Sequence, residues 1–235
     1  MPITLSKKPT DVTIVEGFPG FGLVGSIAIE YLLEHLECEL IGTHLFEDLA
    51  ATLTIHGGKI LYPLSIYHNK KYNLVIVHSI ITTTGVEWKL QSLIEDIAKQ
   101  TKAKEIISLE GVGSTQPLQQ PKTFYYTQDK KRAKKLDSLA SPLNEGIIIG
   151  VTSALLLKTQ NVPVTALFAD TASQLPDSKA AAKLIELLHG YLGIDVDTKP
   201  LLEMAKKFEA KLKGILAQGA AVQEDAKKKQ LSYVG

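Results

Sequence analysis

The segment Leu74-Val75-Ile76-Val77 admits few structures. It is a continuous apolar run dominated by β-branched side chains, which suit extended backbone. A strand with water on one face alternates apolar and polar residues, so an unbroken run asks for apolar cover on both faces. That implies a sheet with a layer of structure on each side. Thr13-Ile14-Val15, Leu40-Ile41-Gly42, Glu105 to Leu109 and Val162 to Ala169 predict further strands.

Between these runs the apolar period changes. Val24, Ile27, Ala28, Tyr31 and Leu32 recur at helical spacing, as do Trp88, Leu90, Leu93, Ile94 and Ile97, and then Ala182, Ile185, Leu188 and Leu192. Thr84 followed by Glu87 has the form of a capping box for the second of these helices, and Asp177 or Ser178 caps the third. Glu145 to Leu157 is apolar with small residues and predicts a helix lying close on the sheet. Ala51 to Ile55 and Ile60 to Tyr67 flank Gly57-Gly58, which predicts a β-hairpin, and Phe124-Tyr125-Tyr126 reads as an edge strand. Strands alternating with helices give an α/β class: a three-layer α/β/α fold with a mainly parallel sheet. Leu201, Ala205, Phe208, Leu212 and Ile215 then mark one face of a C-terminal amphipathic helix. Residues 1–217 are expected to form one domain that includes this helix, and 218–235 a flexible tail.

Charge narrows the function. The 26 Lys and Arg nearly cancel the 25 Asp and Glu, leaving a formal net charge of +1 and no global field to attract nucleic acid or an anionic membrane. The one basic cluster, Lys130, Lys131, Arg132, Lys134 and Lys135, reads as a solvated helix face. Met1 to Thr10 holds no apolar signal-peptide core, and no run reaches the roughly 18 apolar residues of a membrane span. The lone Cys38 fits a reducing compartment, so a cytoplasmic location is expected.

Four features could carry chemistry. Gly20, Gly22 and Gly25 match G-x-G-x-x-G between a strand and a helix, the setting of a dinucleotide loop. Phe18, Pro19 and Phe21 crowd it, however, and no acidic residue sits clearly at the tip of the next strand. The glycines therefore read as a packing device, and no cofactor is expected. The six histidines lack metal-binding spacing, and the G-x-S-x-G elbow of a serine hydrolase is missing, so neither a metal nor a catalytic residue is assigned. Glu16, Glu110 and Asp170 each end a predicted strand; they could converge on an acidic ligand pocket with Gly20 and Gly22, near Thr82, Thr83, Thr84 and Ser114, or cap neighbouring helices. Lastly, Leu231, Tyr233, Val234 and the terminal Gly235 could anchor a partner.

Gly17-Phe18-Pro19-Gly20-Phe21-Gly22-Leu23-Val24-Gly25, followed by Ala28, resembles the opening motif of the proteasome assembly chaperone family in its archaeal branch. Gly57-Gly58 with Tyr62-Pro63, Glu110-Gly111-Val112-Gly113, Gly146 to Leu157, and Asp170-Thr171 before Pro176-Asp177 follow the same order, so the resemblance spans about Val12 to Leu216. It implies a fold like that of the nucleoside phosphorylases and hydrolases. It also implies a homo-oligomeric protein that binds proteasome α subunits, or another protein client, rather than an enzyme. Family members can end in a hydrophobic–Tyr–any motif that docks between α subunits; here Ser232-Tyr233-Val234-Gly235 sets the tyrosine one place early. Phe208, on the C-terminal helix, is a candidate contact between copies. The runner-up is an enzyme of the same fold, binding a small polar ligand at the strand ends.

Overall fold

In the computed structural model, residues 3–205 are described, apart from 48, 50, 57, 82–83, 115–119 and 173–174. The strands are β1 (Thr13–Glu16), β2 (Cys38–His44), β3 (Thr54–His56), β4 (Lys59–Leu61), β5 (Leu64–Asn69), β6 (Leu74–Ser79), β7 (Glu105–Gly113), β8 (Thr123–Thr127), β9 (Ser141–Pro142) and β10 (Val164–Thr171). The helices are α1 (Val24–His35), α2 (Glu87–Thr101), α3 (Lys130–Leu136), α4 (Val151–Lys158) and α5 (Ser178–Leu192).

Eight strands make one sheet in the order β2-β5-β6-β1-β7-β10-β8-β9. The central β6, β1, β7 and β10 are parallel, while β5 and β8 run antiparallel to their central neighbours. Pleating sends alternate side chains to opposite faces. Ile14, Val75, Val77, Ile106 and Val164 pack under α2 and α4. Val15, Leu74, Ile76, Ile107 and Leu167 pack under α1 and α5. The unbroken apolar runs thus serve two cores at once, and the expected three-layer α/β/α architecture is the one observed.

Gly25 and Gly111 explain how α1 lies so close to the sheet. A Cβ on Gly25 would collide with the Leu109 carbonyl, and one on Gly111 with the Phe21 carbonyl. Asp177 locks the same corner: Oδ1 accepts from Lys179 N (3.1 Å) and Ala180 N (3.0 Å) as the cap of α5, while Oδ2 accepts from the Thr171 hydroxyl at 2.7 Å.

Several local expectations need correction. Helix α2 begins at Glu87, and Thr84 does not cap it; Gly85, at φ 86°, turns the chain between them, and Glu87 Oε2 accepts from Gly85 N at 3.0 Å. Trp88 is 55% exposed instead of joining the apolar face. The hairpin is β3 with β4 alone; after Pro63 the chain enters the main sheet as β5. The strand β8 is not the edge, since the two-residue β9 lies outside it. The helix expected from Glu145 starts only at Val151. Residues 199–205 are helical, with Leu201 and Ala205 buried, and Leu201 belongs to the core under α1 and α5. Phe208 and the tail residues Leu231, Tyr233, Val234 and Gly235 lie outside the described residues.

Candidate functional site

Strand register brings the acids together. Glu16 of β1 is level with Ser108 of β7, and Phe168 of β10 is level with Glu110. Counting in twos along each pleated strand puts Glu16, Ser108, Glu110 and Asp170 on the face that carries α4. There the late start of α4 matters. Residues 143–150 cross the strand ends without regular structure, and Gly150, at φ 116° and ψ −156°, holds a conformation essentially confined to glycine. The result is a cavity of about 920 Å³, lined by Gly20, Glu110, Ser114, Asp170, Ile147 and Ile149 among others. A smaller chamber of about 40 Å³ lies further in, lined by Glu16, Glu110 and Thr152. The two share Gly20, Glu110 and Ile149 as walls.

The inner chamber is electrostatically unusual. Glu16 is 1% exposed. Its Oε1 has no hydrogen-bond partner, nor does Glu110 Oε2. Burial pushes the Glu16 carboxyl up to about 8; the Ser108 hydroxyl and the Phe18 N–H pull it down, while the neighbouring Glu110 pushes it up. Burial likewise raises Glu110 to about 7, against the pull of the Thr152 hydroxyl. Ser108 Oγ and Thr152 Oγ1 are 2.7 Å apart and pin α4 to β7 beneath the acids. Asp170 is held at the rim, accepting from Lys122 N at 2.5 Å.

Of the residues proposed from sequence, Glu16, Gly20, Glu110 and Asp170 therefore line one composite site, with Thr84 and Ser114 on its outer wall. Gly22 does not; it turns at φ 65° beside Thr171, where a Cβ would lie 2.9 Å from Cγ2. Thr82 and Thr83 lie outside the described residues. Sequence reasoning missed Thr152, Ile147 and Ile149, which it assigned to a continuous helix. None of Glu16, Glu110 and Asp170 is itself an N-cap residue: Asp129 and Asp177 cap α3 and α5, and the N-cap residues of α1, α2 and α4 make no side-chain bond, although Glu16 and Glu110 line the inner chamber together with Gly150, Val151 and Thr152 at the start of α4.

A second surface feature was not anticipated. Leu45, Leu49, Leu53, Ile60 and Tyr62 are all exposed, and all line one groove of about 550 Å³ beside the β3–β4 hairpin. Elsewhere, burial pushes the Cys38 thiol up to about 11, which leaves it protonated and unreactive near neutral pH. Among the described residues no helix is long and apolar enough to cross a membrane. No group of three or more His, Cys, Asp or Glu side chains there could hold a metal.

The profile of the PAC2 family matches residues 14–216. The chain belongs to the PAC2 family. Its fold is similar to that of Pyrococcus furiosus PbaA, an archaeal homolog of proteasome-assembly chaperone, with a TM-score of 0.84, 26% identity, and coverage of 97% of this chain and 98% of that one. It is also similar to P. furiosus PbaB, an archaeal proteasome activator, with a TM-score of 0.76 over 91% of this chain and 97% of that one; at 20% identity that likeness shows the fold alone. A Methanocaldococcus jannaschii protein, MJ0106, is 26% identical over 223 residues, covering 94% of this chain and 92% of its own. The PAC2 match takes in the glycine loop, both chambers and the apolar groove.

Proposed function

We propose that this PAC2 chain is a proteasome-assembly-chaperone-like protein that works by binding. Its partners are proteasome α subunits or a related protein client, and it presents itself to them as a cytoplasmic homo-oligomer. The observation that carries the reading is the apolar groove: five large apolar side chains are exposed around one concavity. Exposed apolar surface gathered in one place marks a contact site, for a protein among other partners, whereas single exposed residues are ordinary. The likeness to PbaA supports the choice of client. Residues 1–217 would act as the folded unit. Leu231, Tyr233, Val234 and Gly235 would serve as an auxiliary anchor, and Phe208 as a contact between copies.

The test is co-purification of cognate α subunits with the full-length chain, with a chain ending at Lys229, and with a Leu53→Lys/Ile60→Lys variant. Retention by the first two and loss in the third places recognition on the groove. Loss on truncation alone makes the tail the recognition element. Failure of the full-length chain to retain any α subunit defeats the proposal.

A further inference from the structure

The composite pocket at the strand ends is more than an acidic cluster. Its titratable lining residues are Glu16 from β1, Glu110 from β7, Asp170 from β10 and Glu145 from the segment before α4. The glycine loop and α4 add no titratable side chain, and no lysine, arginine or histidine is among the described lining residues. The undescribed residues 82–83, 115–119 and 173–174 carry no basic side chain either.

Buried polar atoms in folded proteins nearly always have partners, and an unpaired buried carboxylate is costly. Here two carboxyl oxygens, Glu16 Oε1 and Glu110 Oε2, have none. Both residues line the 40 Å³ chamber, which has room for a single small polar group. A proton shared between the two acids would remove one charge. It would give no reason for a 920 Å³ antechamber with two further acids and an apolar wall, in which Ile147 and Ile149 are 89% and 78% exposed. Gly20 lines both cavities, and a Cβ there would stand 3.6 Å from Glu110 Oε1, in ordinary van der Waals contact.

The geometry points to a primary alkylammonium ligand, its charged head in the inner chamber between Glu16 and Glu110 and its hydrocarbon chain along Phe21, Ile147 and Ile149. An ammonium group offers three donors and one positive charge, which meets both orphaned oxygens and the surplus of acids. Free amines and a lysine side chain present the same chemistry. The inference does not depend on α-subunit binding, because co-purification can fail while the pocket still takes its ligand.

Hexylammonium, 1-hexanol, hexanoate and Nα-acetyl-lysine N-methylamide are titrated into the full-length protein by calorimetry between pH 6 and 8.5. Hexylammonium should bind at least tenfold more tightly than 1-hexanol, and hexanoate should not bind. Because the head group favours ionised carboxylates, binding should release protons. Affinity should then rise with pH by about tenfold per pH unit for each proton released, most steeply below pH 7 where both acids hold protons, and level off above about pH 8. Binding of the lysine amide as tightly as hexylammonium identifies a peptide source; binding of the free amine alone identifies a small molecule. Glu16→Gln should weaken hexylammonium at least tenfold and reduce the proton release, and Glu110→Gln provides the same reading if the first variant does not fold. Equal binding of hexylammonium and 1-hexanol, no binding of hexylammonium, or an unchanged affinity in a folded Gln variant overturns the proposal.

Discussion

The Arg132 guanidinium lies 3.0 Å from the Glu105 carboxylate, in the middle of a cluster that joins α3, α5 and β7. Glu105 also accepts from Tyr191 Oη at 3.0 Å and from the Thr165 hydroxyl. Arg132 Nη2 donates to the Lys104 carbonyl at 2.8 Å. Removing the cation leaves a buried carboxylate without its counter-charge. Arg132→Ala should therefore lower unfolding stability by about 3 kcal/mol, the low end for breaking a buried pair because Arg132 is partly exposed. Glu105→Gln should cost less, and the double variant less than the sum, as urea denaturation of all three would show.

The acids of the pocket set a pH dependence. Glu16 and Glu110 are raised in the folded protein to about 8 and about 7, from an ordinary value of 4.5. Between those values the folded state holds protons that the unfolded chain has released. The stabilisation is fully present below about pH 4.5 and is lost as pH rises through 7 to 8. The steepest decline should be about 1.4 kcal/mol per pH unit for each proton retained. Glu16→Gln should flatten that part of the profile and raise stability at pH 8.5. Urea midpoints from pH 5 to 9 measure both effects.

The contact between α1 and β7 tolerates no side chain. Gly25→Ala or Gly111→Ala sets a methyl group against a backbone carbonyl and should cost about 3 kcal/mol or more. Gly146→Ala meets only the flexible Leu143 side chain, at 3.6 Å, and should stay within about 0.5 kcal/mol of the parent. Thermal or urea unfolding separates the two classes.

The apolar groove should matter little for stability. The Leu53→Lys/Ile60→Lys variant changes only exposed side chains. Each substitution should shift unfolding by about 0.5 kcal/mol at most, whatever it does to partner binding. A large loss of stability would mean that the groove belongs to the core.

Much of this was legible in the sequence. The runs at Ile14, Val75 to Val77 and Ile106 announced a doubly covered sheet because each neighbouring pair of residues serves opposite cores. The acids Glu16, Glu110 and Asp170 could be placed at strand ends because each closes an apolar run. What lay hidden depended on one torsion or on surroundings. Composition cannot distinguish Ile147 to Ile149 in a helix from the same residues crossing strand ends, since the difference rests on the backbone at Gly150. Gly85 likewise displaced the Thr84 cap by its turn. Two cations of the basic cluster reach back to the fold: the partly buried Arg132 pairs with Glu105, and Lys135, itself exposed, donates through Nζ to the Tyr191 carbonyl at 2.5 Å; their targets are 27 and 56 residues away in the chain. The apolar groove escaped notice because Leu45, Leu53 and Ile60 look like core residues until the fold leaves them outside.

The two flanks of the sheet bear on how any partner can approach. At one end β9 is two residues long and contains Pro142, which has no N–H to offer a further strand. At the other, the chain before β1 lies along β2: Ser6 N donates to the Ile41 carbonyl at 2.7 Å, and Leu5 bridges Gly42. Among the described residues, each border is thus shortened as a template for annealing another backbone. A protein that docked at these flanks would meet side chains more than backbone, and such a contact could be retuned by surface substitutions while the scaffold underneath stays as it is.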